Sequence, residues 1–191
     1  GPTFAIRKPA SRVFTLDEYV EAGTMTKRQK EVLCQAVEEH LNILVVGGTS
    51  SGKTTFANAI IAEMVRQFPD ERHITIEDTL EIQCTAENVV PMHTTLEVTT
   101  TKCLKQTLRL RPTRIHVGEV RDEAALALLD AWNTGHQGGL STLHANSAEE
   151  GLSRLRGLVS RSPHAPRCIE EVIGKAVQRI VYILSLIHIS E

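Results

Sequence analysis

Gly47-Gly48-Thr49-Ser50-Ser51-Gly52-Lys53-Thr54-Thr55 is the stretch on which the fold turns. It fits G-x-x-x-x-G-K-[ST], the loop that cradles phosphates. Leu41 to Val46 before it is a short apolar, β-branched run and predicts a buried strand. Phe56, Ala59, Ile60 and Val65 after it recur at roughly helical spacing. Strand, loop and helix therefore stand in the order the mechanics require. The glycines let the backbone curl round an anion. Loop N–H groups and the helix N-terminus face that anion. In such a loop the lysine reaches the β- and γ-phosphates and the hydroxyl after it ligates Mg²⁺. Those residues are Lys53 and Thr54.

Upstream, residues 1–13 carry two prolines and three basic residues and read as a linker. Thr15, with Asp17 and Glu18 behind it, starts a helix over about 16–22. Thr26 caps a second over 27–40, with Val32, Leu33, Ala36 and Val37 facing inward. Downstream, the loop's helix stops before Pro69. His73 to Ile76 predicts a strand ending in Glu77-Asp78. Ile82 to Cys84 and Asn88 to His93 read as short edge strands, and 94–101 as a threonine-rich loop. A helix over 102–110 closes at Arg111-Pro112. Thr113 to Val117 is a strand ending at Gly118-Glu119, and 122–133 a helix rich in Ala and Leu. Gly138 to Leu143 is a strand running into His144. Ser147 and Glu150 form a capping box for a helix to about Ser160. A helix over 166–177 and a strand over 179–184 follow. Such alternation predicts an α/β fold, a mostly parallel sheet with helices on both faces.

In an open parallel sheet, ligands bind outside the carboxyl ends of the strands. Four polar clusters fall there: the phosphate loop, Glu77-Asp78, Gly118-Glu119, and the run from His136 to His144. Phosphoryl transfer to water needs a metal, a group that orients the water, and positive charge. Glu119 stands where an acid manages Mg²⁺, although Gly118 occupies the place of the usual aspartate. Glu77 is placed to orient the water, with Asp78 or Glu81 supporting the metal. His144 is placed to bond the γ-phosphate and report its loss. His136 and Gln137 line the same edge or a neighbouring subunit, and the glycines between allow close backbone approach. An arginine acting across subunits comes from Arg109, Arg111, Arg114 or Arg121, or from Arg7 or Arg12. Trp132 and Tyr19 read as packing residues, with Tyr19 or Phe14 the candidates to stack on a nucleobase.

With 41% hydrophobic and 23% charged residues among 191, the composition is that of one sizeable globular domain. A net charge of −2 gives no global argument for a nucleic-acid partner. Cys34, Cys84, Cys103 and Cys168 lack any C-x-x-C pairing. They read as reduced, mostly buried thiols of a cytosolic protein rather than a zinc site or disulfide frame. No apolar run reaches about 18 residues, so membrane association is expected to be peripheral.

GGTSSGKTT, ITIEDTLEI, LRLRPTRIHVGEVR and TGHQGGLSTLHANS stand in the order of the phosphate loop, acidic box, Walker B and histidine box of secretion traffic ATPases. AIRKP and VFTLDEYVEAGTMT resemble the linker and domain start of the TrbB-like conjugative-transfer ATPases of type IV secretion. The likeness runs from about residue 4 to 183. It implies a RecA-like P-loop NTPase over 14–183 that binds ATP and Mg²⁺ and hydrolyses ATP as a homo-hexamer. It further implies a place on the cytoplasmic face of the bacterial inner membrane, among channel proteins, powering pilus assembly or substrate transfer. Lys53 and Thr54 carry over to the nucleotide and metal, Glu77 to the acidic box, Glu119 to Walker B and His144 to the histidine box. Family members carry an N-terminal domain ahead of the linker. A chain starting at Gly1 is therefore expected to bind ATP weakly and hydrolyse it poorly. Absence of the C-x-x-C pairs of many type II relatives favours the type IV branch. Leu184 to Glu191 does not match the family ending and reads as a sequencing-library transposon adapter translated into the frame. Two other functions fit the loop: a nucleotide-binding fragment with little hydrolysis, and a small-molecule P-loop kinase. The latter needs an acceptor site that Glu119 and the histidine box do not resemble.

Overall fold

The computed structural model describes residues 12–184, so Arg7, most of the linker and nearly all of the 184–191 tail lie outside the described residues. The chain runs α1 (Leu16–Glu21), α2 (Lys27–Glu38), β1 (Ile43–Gly47), α3 (Lys53–Gln67), β2 (His73–Glu77) and β3 (Val89–His93). It continues with α4 (Thr100–Thr107), β4 (Arg114–Val117), α5 (Ala124–Asn133), β5 (Leu140–His144), α6 (Ala148–Val159), α7 (Ile169–Ala176) and β6 (Arg179–Ile183). Strand order is β3-β2-β4-β5-β1-β6, every pair parallel.

Side chains alternate across each strand, and both sets are buried. Leu44 and Val46 of β1 join Ile74, Ile76, Ile115 and Val117 under α4, α5, α6 and α7. Ile43 and Val45 join Leu16, Leu33, Ile60 and Met64 under α1, α2 and α3. That double cover explains why β1 reads as an unbroken apolar run rather than an alternation. Thr15 and Thr26 each form a full capping box, with Glu18 and Gln29. Ser147 accepts from Glu150 N–H, but the Glu150 carboxylate takes Asn146 N–H rather than the cap residue's own.

Three expectations are corrected. Ile82 to Cys84 is not a strand: Ile82 N–H is bonded to the Glu77 carboxylate and Gln83 N–H to Asn58 Oδ1, which leaves no ladder to join. Arg114 is not available to a neighbouring subunit. Its guanidinium is fully buried, paired with Glu71, bonded to Gly138 O and Val37 O, and set over the Phe68 ring at 5.2 Å. Of the cysteines only Cys103 is buried, with Cys34 and Cys84 half-buried and Cys168 exposed.

His73 and His116, passed over in the sequence, form a buried pair on β2 and β4, each 0% exposed, with Nδ1 of one 2.9 Å from Nε2 of the other. Their outer nitrogens have no hydrogen-bond partner among the described residues. Burial, then the Arg114 charge, lowers His73 from 6.5 to about 4, and burial drives His116 down as well. Unfolded imidazoles protonate near 6.5, so below that pH the unfolded chain binds more protons and stability drops as pH falls toward 4. Thermal melting between pH 7 and pH 5 should show a falling midpoint. A flat profile, or one unchanged in a His73→Gln/His116→Gln variant, contradicts this.

Candidate active site

All six strands of the described residues point the same way, so the loops after β1, β2, β4 and β5 meet along one edge. Gly52 caps α3 with φ at +88°, a left-handed backbone that glycine adopts without strain and that turns the loop into the helix. Lys53 opens α3 and is only 7% exposed. A cavity of about 490 Å³ lies over this edge, and Ser51, Lys53, Thr54, Glu77, Glu119 and His144 all line it. Gly47 and Gly48 sit at the base of the loop, and Thr49, Ser50 and Thr55 also border the cavity.

Lys53 Nζ donates to Gly48 O at 2.6 Å and lies 3.1 Å from His144 Nδ1. An ammonium only donates, so Nδ1 accepts and the imidazole is neutral, with its proton on Nε2. That nitrogen faces Glu119 Oε1 at 3.4 Å. Burial, then the Lys53 charge, lowers the His144 pKa, while Glu119 opposes them. Burial likewise lowers Lys53, with Glu119 and Glu81 pulling the other way. The Ser51 hydroxyl is buried and has no hydrogen-bond partner among the described residues.

Glu77 ends β2 at 5% exposure. Its Oε1 accepts from Glu81 N–H at 2.9 Å and Ile82 N–H at 2.8 Å. Burial raises its pKa above 4.5 despite those two donors. Asn58 of α3 pins the same loop, donating to Glu81 O and accepting from Gln83 N–H. Arg121 bridges the acids of two strands, with one nitrogen on Asp78 Oδ2 and another on Glu119 Oε2, both at 2.6 Å. Thr54 hydroxyl, Glu119 and Asp78 are hard oxygen donors. Among the described residues no group of three or more His, Cys, Asp or Glu side chains could hold a metal ion by itself. That donor set suits Mg²⁺, which is bound by one or two carboxylates, substrate phosphates and waters rather than an all-protein cage.

Not every predicted residue gathers here. His136 lies at the other end of the sheet, ahead of β5, with Nδ1 3.0 Å from Pro112 O, so the same-edge reading is corrected. The glycines beside it serve packing: Trp132 rests against Gly139 and Arg114 against Gly138. Arg12 is paired with Glu18, and Arg109 and Arg111 are exposed away from the cavity. Arg154 was missed. A second cavity, of about 530 Å³, joins Gly48, Thr49 and His144 to Glu150, Ser153 and Arg154 of α6. The signal was the i, i+3, i+4 spacing of those three on a helix starting just after His144. A third, mostly apolar cavity of about 730 Å³ abuts the loop at Ser51 and Thr55. Tyr19, Met25, Phe56 and Tyr182 wall it, and Tyr19 packs edge-on against Phe56 at 5.0 Å.

A family model described as "Type II/IV secretion system protein" matches residues 1–186. The chain is 52% identical over 183 residues to the conjugal transfer protein TrbB of Rhizobium radiobacter, covering 96% of this chain and 56% of that one. It is 32% identical over 214 residues to the type IV secretion system protein PtlH of Bordetella pertussis, with 97% and 62% covered. The chain thus spans little more than half the length of these curated relatives. The VirB11 ATPase of the Brucella suis type IV secretion system, solved with sulphate, superposes with a TM-score of 0.78 at 28% identity, covering 96% of this chain and 62% of that one. The pilus retraction motor PilT with bound ADP gives 0.70 at 27% identity, covering 92% and 49%. The sheet and its two helical layers are RecA-like, as in these neighbours. No helix among the described residues is long and apolar enough to cross a membrane.

Proposed function

Because the chain belongs to the type II/IV secretion system protein family, we propose that it is the motor domain of an ATPase that powers conjugative transfer or pilus assembly in a type IV secretion system. It works as a homo-hexamer, peripheral on the cytoplasmic face of the inner membrane and docked on the channel proteins there. It takes ATP with Mg²⁺. The observation that carries this reading is the meeting of Lys53, Thr54, Glu77, Glu119 and His144 in one polar cavity.

Phosphates enter the cradle of loop N–H groups and satisfy the Ser51 hydroxyl. Lys53 exchanges Gly48 O and His144 for phosphate oxygens. Thr54, Glu119 and Asp78 would hold Mg²⁺, which when bound would supply positive charge to the phosphoryl oxygens. The nucleobase lies in the apolar cavity against Tyr19. Glu77, anchored through Oε1, presents its second oxygen to the attacking water. A raised carboxyl pKa makes it a stronger base than an ordinary glutamate. His144, released by Lys53, reads the terminal phosphate and passes its loss to Glu119. Arg154 adds positive charge from the side of α6.

The test is phosphate release by the natural-length protein given Mg-ATP alone. Steady release without an acceptor supports the motor. Turnover strictly dependent on a small-molecule acceptor would make it a kinase, and nucleotide binding without turnover would leave a binding module.

A further inference from the structure

Gly118 stands where the aspartate of a Walker B strand is expected, and in the structure a side chain there would press on Glu77. It follows β4 as Glu77 ends β2. Its N–H donates to Ile76 O at 2.9 Å, and its carbonyl accepts from the Thr142 hydroxyl at 2.7 Å. The backbone at 118 is therefore held from both neighbouring strands. Glu77 reaches across this bare backbone. A Cβ built on Gly118 would lie 3.1 Å from Glu77 Cγ and 3.3 Å from Oε1. Neither side yields easily, because Oε1 is fixed by the Glu81 and Ile82 amides and the side chain is almost fully buried.

We infer that Gly118 is a positioning residue for Glu77: positions 77 and 118 share one carboxylate slot above adjacent strands, and the acid missing from β4 is supplied from β2. This rests on the ATPase reading and adds to it. The spacing between the acidic box and Walker B is then a steric contract, with glycine required at 118 because glutamate is used at 77. The inference concerns where one carboxylate sits, and Glu119, which follows Gly118 and points to Arg121 and His144, keeps its separate place.

The experiment is a double-mutant cycle on the full chain, with three readouts: phosphate release, affinity for a fluorescent ADP analogue, and melting temperature. Gly118→Ala should lower kcat at least tenfold while leaving ADP affinity within twofold, because the phosphate loop is untouched. It should also lower the melting midpoint. In a Glu77→Ala background Cγ is gone, so adding Gly118→Ala should change kcat by less than twofold and no longer lower the midpoint. If Gly118→Ala alone fails to fold, folding of the double variant supports the inference and its failure to fold refutes it. Turnover within twofold of the parent for Gly118→Ala, or equal losses in both backgrounds, would overturn the shared slot. A parent that releases no phosphate sinks the ATPase reading instead, and the melting cycle still judges this one.

Discussion

Lys53→Ala should reduce ATP turnover at least a thousandfold. The ammonium is nearly buried at the start of α3 and is held only by a carbonyl and a neutral imidazole, both of which phosphate can replace. Each charge-assisted hydrogen bond to a phosphate oxygen contributes about 1.5–3 kcal/mol. Two such bonds, strengthened as charge builds in the transition state, account for a loss of that size. The fold should not suffer. Removing a poorly solvated cation costs the apo protein little, and His144 then relaxes toward water. Melting within a few degrees of the parent, together with lost ATP affinity by calorimetry, is the expected pair of results. More than a tenth of parental turnover would remove Lys53 from the chemistry.

The second large effect is Glu77→Gln. The amide keeps an oxygen for the Glu81 and Ile82 N–H groups, so the loop stays in place while the negative charge goes. Loss of a positioned base lowers turnover by about 10²–10⁴-fold, and ADP affinity should stay within threefold. Burial holds the Glu77 carboxyl above its ordinary 4.5, so the acid limb of the kcat profile should lie above that value in the parent. Activity falls as pH drops through that limb, and the limb should vanish in the variant. Glu119→Gln makes the contrast. It should slow hydrolysis and raise the magnesium needed for half-maximal rate while leaving the acid limb intact. If Glu119→Gln erases the limb and Glu77→Gln does not, the roles of the two glutamates are exchanged.

The parts of this molecule visible in the sequence were those whose chemistry is local. A phosphate loop needs its glycines, lysine and hydroxyl in fixed succession, and a β1 covered on both faces needs an unbroken apolar run. Glu77, Glu119 and His144 were legible because strand ends are legible and parallel strands place their ends together. The apolar spacing of Ile82 to Cys84 matches a strand, while the nearby Glu77 carboxylate and the distant Asn58 claim the N–H groups a ladder would use. Arg114 looked like a surface arginine because its partner Glu71 and its cover, Phe68, lie more than forty residues away. His73 and His116 gave no signal at all, since nothing in either strand alone announces that two rings will meet across the sheet. Arg154 falls outside every motif, and its helical spacing with Glu150 and Ser153 gains meaning once α6 is laid beside the loop.

Asn58 has a mechanical consequence. It lies five residues into the helix that starts at Lys53, about 7 Å along its axis, and it grips both flanks of the segment that carries Glu81. Cradle and acids are thus bolted to a single rod. Whatever tug an anion exerts at the rod's tip is felt by the acidic segment directly, without detouring through the strands beneath.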